Sequence, residues 1–334
     1  MDYKKIEDER KLHLHYYNRK QKISKIVIII SLIGIILTTI ISLVSLFFHI
    51  YYRYISFMGL FFIMMLFGIA GVFKANEYNK IYSEKVKNKI LLGILEKYYT
   101  NCKYEKEKNV YSEINKSDLL PTDLLVITED FISGEYKDIT FKMFDTVIYT
   151  LNDKTQYYFN NYSGDIKDNP LVNIMDGLTF RGLWLNFTLD RNFNTKIIIK
   201  EPRLFTTTHY PKMQEVQVES IDFTSKYKAF ALDKQKFFFI FTPSFIEKFM
   251  KLDELCNGRI MFSLIDNVIN IGIDNDFDCF ELDMFEDSKD NIFVLEEQLS
   301  IIAAIINEFN FATDKYNKSL NKGKIVKWNK GKLE

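Results

Sequence analysis

A run of acidic residues in the C-terminal third of the chain has the composition of a cation site. Asp274, Asp276 and Asp278 alternate along the chain, and oxygen ligands at every second position can converge on one ion, as at the start of a calcium loop. The sixth position of such a loop is Cys279 instead of glycine, and the twelfth is Phe285 instead of glutamate. On a strand, the three carboxylates would share one solvated face. We therefore predict an acidic sheet edge, with these three aspartates as the alternative metal candidates.

Other residue types that carry chemistry lack partners at a suitable spacing. None of the four histidines has a second histidine at helical spacing, and Cys102, Cys256 and Cys279 include no Cys-x-x-Cys pair. The chain also has no G-x-x-x-x-G-K-[ST] phosphate loop. The formal net charge is +0, so the chain has no overall positive field that would attract nucleic acid. We predict no catalytic residue, no cofactor and no nucleic-acid partner.

Two uncharged runs dominate the N-terminal part of the chain. No charged side chain occurs in residues 26–48 or in residues 54–73. Each run has about the length of roughly 20 residues that a helix needs to cross a bilayer. A buried hairpin of a soluble protein would keep a polar stripe, and a secretory signal would have a shorter leader before its apolar core. The sequence therefore predicts a transmembrane hairpin over residues 26–73, with the lipid bilayer as its environment.

The distribution of basic residues predicts the orientation of this hairpin. Lysines and arginines precede the first run and lysines follow the second, whereas the bridge contains only Arg53. Basic flanks resist translocation, so both termini are expected to be cytoplasmic. Tyr51, Tyr52 and Tyr54, together with Arg53, are the predicted membrane-interface residues because aromatic rings concentrate at headgroup level.

The rest of the chain divides by composition. We predict a basic cytoplasmic N-terminal tail (1–25), an amphipathic stalk helix and linker (74–110), a cytosolic α+β domain (111–318) and a basic flexible tail (319–334). The alternative for the stalk is a helix that lies on the membrane or self-associates. Alternating apolar residues within 124–274 favour antiparallel strands, in one domain or in two subdomains divided near 205–214. The predicted fold class is α+β, a two-helix transmembrane hairpin followed by an antiparallel sheet with packed helices.

Local patterns are clearest between residues 237 and 278. The segment "FFFIF" predicts a buried strand, and Thr242 followed by Pro243 predicts the start of a helix. "GRIMFSLIDNVINIGID" predicts a hairpin that turns at Asp266-Asn267. Counting outward from that turn predicts one apolar face of paired residues, Leu264 with Ile269, Phe262 with Ile271, and Ile260 with Ile273. The opposite face, where Ser263 pairs with Asn270, is expected to be wetter. A last helix is predicted over about 291–316.

Four segments resemble a known family: "GEYKDITF", "FRGLWLNFTLDRNF", "VESIDFTSKYKAFALDKQKFFFIFTPSFIEKFMKL" and "GRIMFSLIDNVINIGIDNDFDCFE". They are similar to the bacterial membrane-protein family catalogued as domain of unknown function 3137, over roughly residues 129–286. The resemblance implies a membrane-tethered cytoplasmic α+β domain in bacteria, with no established activity or catalytic residue to carry over. It places the protein in the bacterial cytoplasmic membrane as a multi-pass protein.

These features predict a non-enzymatic binding or scaffold module that holds a protein partner at the membrane or self-associates. The alternative is a membrane-tethered enzyme acting on a lipid or protein. In that case the acids between Asp274 and Glu286 would line a deep pocket together with Cys256 or His209.

Overall fold

The computed structural model describes residues 3–47, 54–121, 124–151, 178–201, 210, 212–256, 258–276, 279–280, 285 and 287–308. These residues form two compact units. The helical unit is Met1–Ile90 with Leu282–Phe293, and the sheet unit is Leu91–Glu281 with Val294–Glu334. Both α2 (Tyr54–Tyr98) and α7 (Ser288–Glu308) contribute residues to each unit.

The helical unit is built from α1 (Tyr3–Phe47) and the larger part of α2. The two helices pack antiparallel. Near one end Lys89 lies 3.8 Å from Glu9, further along the ring of Tyr78 lies 5.1 Å from that of His13, and Gly34 faces Phe61. A β-carbon at Gly34 would overlap the Phe61 ring, so glycine is needed for this close approach.

Both helices are long and apolar enough to cross a membrane. Within their most apolar windows only 22% of the residues of α1 and 11% of those of α2 are buried, unlike the core helices of a soluble protein. Large apolar side chains such as Ile36 and Phe67 are exposed. The apolar surface indicates membrane association, because exposing so much of it to water is unfavourable.

The helices extend well beyond the predicted spans. At 1.5 Å per residue, a helix of 45 residues is about 70 Å long, roughly twice the thickness of the hydrocarbon layer. Residues 3–25, which were predicted as an N-terminal tail, form the first part of helix α1. Helix α2 continues to Tyr98, through the first part of the segment predicted as a stalk.

The sheet unit contains one antiparallel sheet of nine strands among the described residues. Its spatial order is β1-β2-β3-β4-β9-β8-β5-β7-β6. The strands are β1 (Thr100–Glu105), β2 (Leu124–Tyr136), β3 (Ile139–Thr150), β4 (Leu178–Thr188), β5 (Lys196–Lys200), β6 (Gln214–Val216), β7 (Lys228–Ala231), β8 (Arg259–Ile265) and β9 (Val268–Asp274). The α+β fold class is confirmed.

Shorter helices join and cover these strands. They are α3 (Tyr111–Lys116), α4 (Ile221–Lys226), α5 (Lys234–Ile240) and α6 (Pro243–Cys256). The segment between α2 and residue 110 was predicted to be a linker, but it contains β1. The start of α6 is as predicted, since Pro243 is its first residue and the Thr242 hydroxyl accepts the backbone N–H of Phe245 at 3.3 Å.

The hairpin β8–β9 has the predicted register. Leu264 pairs with Ile269, Phe262 with Ile271, and Ile260 with Ile273. Asp266 in the turn has a φ of 56°, a conformation that aspartate tolerates better than most residues.

The expectation of a wetter opposite face is wrong, because Ser263 and Asn270 are both buried. Asn270 donates to the Ser263 hydroxyl at 3.3 Å and accepts from the Asn186 amide at 2.8 Å, so the three polar side chains satisfy one another. The segment around α3 covers this face, where Val110 and Ile114 share a buried cluster with Trp184. A second layer on one side of the sheet thus removes the solvated face.

Helices α4 to α6 bring an aromatic cluster onto the other face. Phe262 on β8 contacts the rings of Phe241 and Phe249 at centroid distances of 5.4 and 6.0 Å, both edge-to-face. Tyr227 and Phe223 contact Phe249 in the same way. Aromatic pairs of this geometry add to the free energy gained from burying their area.

Candidate functional site

The described acids of the predicted cation site are engaged by arginines. Asp274 ends β9, where its carboxylate forms an ion pair with Arg259 and accepts the backbone N–H of Arg181 at 3.1 Å. Asp276 lies 3.7 Å from the Arg181 guanidinium. Asp278 lies outside the described residues. The predicted acidic sheet edge is wrong for Asp274, because β9 lies between β4 and β8 in the sheet and the Asp274 side chain is only 10% exposed.

The remaining candidates are only partly within the described chain. Tyr51, Tyr52 and Arg53 lie outside it, and Tyr54 opens α2 without a described side chain. His209 and the Cys256 side chain also lie outside. Among the described residues, no group of three or more His, Cys, Asp or Glu side chains could hold a metal ion. The enzymatic alternative therefore stays a prediction.

A buried polar network that sequence analysis missed joins α4 to α6. Asp253 is buried on α6 and accepts hydrogen bonds from the Tyr227 hydroxyl at 2.5 Å and the Lys226 ammonium at 2.6 Å. Lys226 also lies 3.4 Å from Glu201. Burial lowers the pKa of Lys226, but its contacts with Asp253 and Glu201 outweigh burial and raise it above the ordinary value. No spacing in the sequence signals this network, because 26 residues separate Tyr227 from Asp253.

A second pair of buried polar groups fixes the turn after β9. Asp145 on β3 accepts the backbone N–H of Cys279 at 2.6 Å, and Gln298 on α7 accepts that of Phe280 at 2.9 Å. All four residues are buried. Their contacts satisfy backbone donors that would otherwise be desolvated without partners, which assigns them a structural role.

The segment predicted as a buried strand is helix α5, and this is a correction. Asp233 accepts the backbone N–H groups of Gln235 and Lys236, which caps the helix. Phe237 and Phe241 lie one turn apart and stack in the core with their centroids 4.8 Å apart. A strand would place Phe239 on the same face as Phe237 and Phe241, whereas here Phe237 and Phe241 are buried and Phe239 is exposed.

The same helix exposes two other phenylalanines. Phe238 is 50% exposed and Phe239 67%, although Phe239 was predicted to lie in the sheet core. The loop after β4 packs beside α5, where the Lys236 ammonium donates to the Asn194 carbonyl at 2.8 Å. Its Arg191 guanidinium lies 5.2 Å from the ring of Phe193 and 5.6 Å from that of Phe239.

We call Arg191, Phe193, Phe238 and Phe239 the α5 surface. Aromatic rings and arginine are the residue types enriched at the core of protein interfaces. In the part of the chain that the structure describes, Arg191 has ring contacts but no ion pair. The arrangement is chemically suited to binding an apolar segment next to an acidic group, and it contains no nucleophile or general base.

Comparisons with known proteins give one family match and one distant structural likeness. The crystal structure of the mycobacterial trehalose monomycolate transport factor A, TtfA, superposes on this chain with a TM-score of 0.36. The two sequences are 4% identical, and the alignment covers 64% of this chain and 95% of that one. A likeness this distant carries no functional information. No curated protein matches the chain. Residues 178–311, from β4 to the end of α7, match the model of the family described as protein of unknown function (DUF3137), which confirms the resemblance predicted from the sequence.

Proposed function

We propose that this protein is a non-enzymatic binding module anchored in the bacterial cytoplasmic membrane, where its α+β domain holds a protein partner through the α5 surface. The observation that carries the proposal is the exposure of Phe238 and Phe239 beside Arg191. Phe237 and Phe241 already fill the core beneath α5, so the fold of the domain does not need the rings of Phe238 and Phe239. The exposed pair therefore contributes to binding and not to folding.

The chemistry of the α5 surface suggests the partner's contact surface. The Arg191 guanidinium lies over the rings of Phe193 and Phe239, and the hydrogen-bond donors of a guanidinium point outward in its plane. A carboxylate can accept two of these donors while an apolar side chain packs on Phe239. We expect a partner segment that carries at least one aspartate or glutamate beside a large apolar residue.

Photo-crosslinking in native membranes tests this proposal. A photoreactive amino acid at position 239 is expected to capture one protein reproducibly, as identified by mass spectrometry. Adding Arg191→Glu should abolish that product, because the reversed charge repels an acidic partner. The matched control carries the photoreactive residue at Leu178, another large apolar residue of the sheet unit that is about half exposed.

The crosslinked product shows which kind of molecule binds the α5 surface. Loss of one product on Arg191→Glu, with no such product from position 178, supports a protein partner. If that product is a second copy of this chain, the partner is the protein itself. Products that are lipids alone, or the same proteins from positions 178 and 239, would contradict the proposal.

The cytoplasmic location of both termini belongs to the same proposal. It is supported by the basic residues on both flanks of the apolar helices, against a single arginine in the bridge. A tag after Glu334 should resist an impermeant protease in intact cells and be removed after permeabilisation. Removal of the tag from intact cells would reverse the orientation.

A further inference from the structure

The helical unit contains a cavity of about 470 Å³ where α1 changes from charged to apolar. One side is α1 and another is the ring of Phe285, whose centroid lies 6.2 Å from that of Tyr17. The polar and basic lining residues on α1 follow one another at helical spacing: Tyr17, Asn18, Gln21, Lys22 and Lys25. Its volume is within the usual range for small-molecule sites.

The uncharged polar groups of this cavity are held by contacts between helices. The Gln21 amide donates to the Tyr17 hydroxyl at 2.9 Å and to the side-chain Oδ1 of Asn76 at 2.5 Å, and the Tyr17 hydroxyl donates to the same Oδ1 at 3.1 Å. Gln21 and Tyr17 are thus fixed by α2 before any ligand arrives. A fixed polar wall loses little entropy when it binds a ligand.

The two lysines supply positive charge that the described residues leave uncompensated. Neither Lys22 nor Lys25 has an ion-pair partner within the part of the chain that the structure describes. Both line the cavity and both are exposed. No acidic residue is among the described residues that line it, so this described lining favours an anion.

The position of the cavity along α1 suggests the source of that anion. Lys25 is the last charged residue before the uncharged stretch that starts at Ile26. If α1 crosses the membrane there, the cavity lies at the level of lipid headgroups. On the same side of the helix, Ile26, Ile30 and Ile33 are about half exposed and form a stripe leading away from Lys22.

We propose that this cavity binds the phosphate of an anionic phospholipid, with the acyl chains along the isoleucine stripe. The inference rests on the membrane anchoring in the proposed function and adds a lipid specificity to it. Lys22 and Lys25 hold the phosphate oxygens, and the Asn18 amide donates to the headgroup. The Gln21 side-chain oxygen can accept from a headgroup hydroxyl, and the ring of Phe285 forms one wall of the site.

The test uses the full chain in an uncharged detergent, where no charged membrane surface attracts lipid non-specifically. Phosphatidylglycerol and phosphatidylcholine with matched acyl chains are titrated, and bound lipid is counted by native mass spectrometry. We expect phosphatidylglycerol to bind more tightly, and Lys22→Gln with Lys25→Gln to weaken it about tenfold. Phe285→Ala should also weaken binding, because it removes a wall of the cavity without changing the charge.

A second pair of lysines provides the matched control. Lys74 and Lys80 lie on α2 next to its apolar stretch and do not line the cavity. Lys74→Gln with Lys80→Gln removes the same charge and should leave the affinity for phosphatidylglycerol within about twofold of the wild type. Equal losses from both lysine pairs, or no effect of Phe285→Ala, would overturn the proposal.

Two further experiments distinguish a lipid from a soluble anion and test membrane anchoring separately from lipid binding. If inorganic phosphate binds through Lys22 and Lys25 as tightly as the lipid does, the ligand is a soluble anion and the lipid proposal fails. Extraction of cell membranes with alkaline carbonate tests anchoring independently of lipid binding. Retention in the membrane without preference for phosphatidylglycerol refutes only the lipid site, whereas release of the chain refutes the anchoring itself.

Discussion

Replacing Asp253 with alanine tests the reasoning about the buried polar network. The substitution removes the acceptor of the Tyr227 hydroxyl and of the Lys226 ammonium. Tyr227 is only 2% exposed, so its hydroxyl is left without this hydrogen bond in a place that water does not reach. A buried donor deprived of its acceptor costs about 1–3 kcal/mol.

The contribution of Lys226 is smaller, because its side chain is 39% exposed and Glu201 stays nearby. An ion pair that is partly solvated contributes about 0–1 kcal/mol. Asp253→Ala is therefore expected to lower the free energy of unfolding by about 3 kcal/mol. Tyr227→Phe, which removes the hydroxyl itself, should cost about 1.5 kcal/mol. The double variant should be less destabilised than the sum, by about 1.5 kcal/mol, since the two substitutions break the same hydrogen bond.

Trp184 provides the readout. It is fully buried on the sheet, and the chain contains 2 tryptophans, so Trp328→Phe leaves it as the single emitter. Urea unfolding of the full chain in uncharged detergent is followed by Trp184 fluorescence. Glu254→Ala, an exposed acid next to Asp253 on α6, is the matched control and should change the free energy of unfolding by less than about 0.5 kcal/mol. Equal effects of Asp253→Ala and Glu254→Ala, or strict additivity with Tyr227→Phe, would refute the assigned network.

Three further predictions concern the sheet unit. Gly182→Ala should strongly reduce folded protein, judged by Trp184 fluorescence and protease resistance, because Gly182 has a φ of 144° and a β-carbon there would overlap the Ile273 carbonyl. Burial raises the pKa of Cys102 to about 11, so its alkylation in a variant without the other cysteines should be slow at pH 8 and should accelerate toward pH 11; rapid alkylation at pH 8 would contradict this. Folding raises the pKa of Lys226 above its ordinary value of 10.5, so its stabilisation is complete below pH 10.5 and is lost as the pH rises through the higher folded pKa. Wild-type stability should therefore fall more steeply above pH 10.5 than that of Lys226→Met, and parallel curves would contradict the assigned ion pairs.

Local patterns predicted the parts of the fold whose causes are local. The apolar lengths of α1 and α2, the start of α6 at Pro243 and the register of β8–β9 all follow from neighbours in the chain. Helix α5 escaped prediction because five successive apolar residues fit a strand and a short buried helix equally well. The cap at Asp233 was the available signal, since it lies directly before the segment.

The candidate surfaces were less predictable than the fold. The arginines that engage Asp274 and Asp276 come from other strands, and Arg181 lies 93 residues from Asp274 in sequence. Arg191 meets Phe239 only because the loop after β4 packs beside α5. In the sequence, Phe285 is notable only as a residue that breaks the calcium-loop pattern, whereas in the helical unit it lines a cavity.

By itself the sequence determined that two apolar helices enclose a short bridge, that an antiparallel sheet follows, and that β8 and β9 pair around Asp266. Helix length and strand alternation depend on the backbone and on residues close in sequence, so these features need no distant partner. Only the tertiary structure decided that Ser263 and Asn270 are buried, that Phe238 and Phe239 are exposed, and that carboxylates in the acidic run face arginines. Burial and ion pairing depend on which distant segment covers a side chain, and the spacing of residues along one chain does not contain that information.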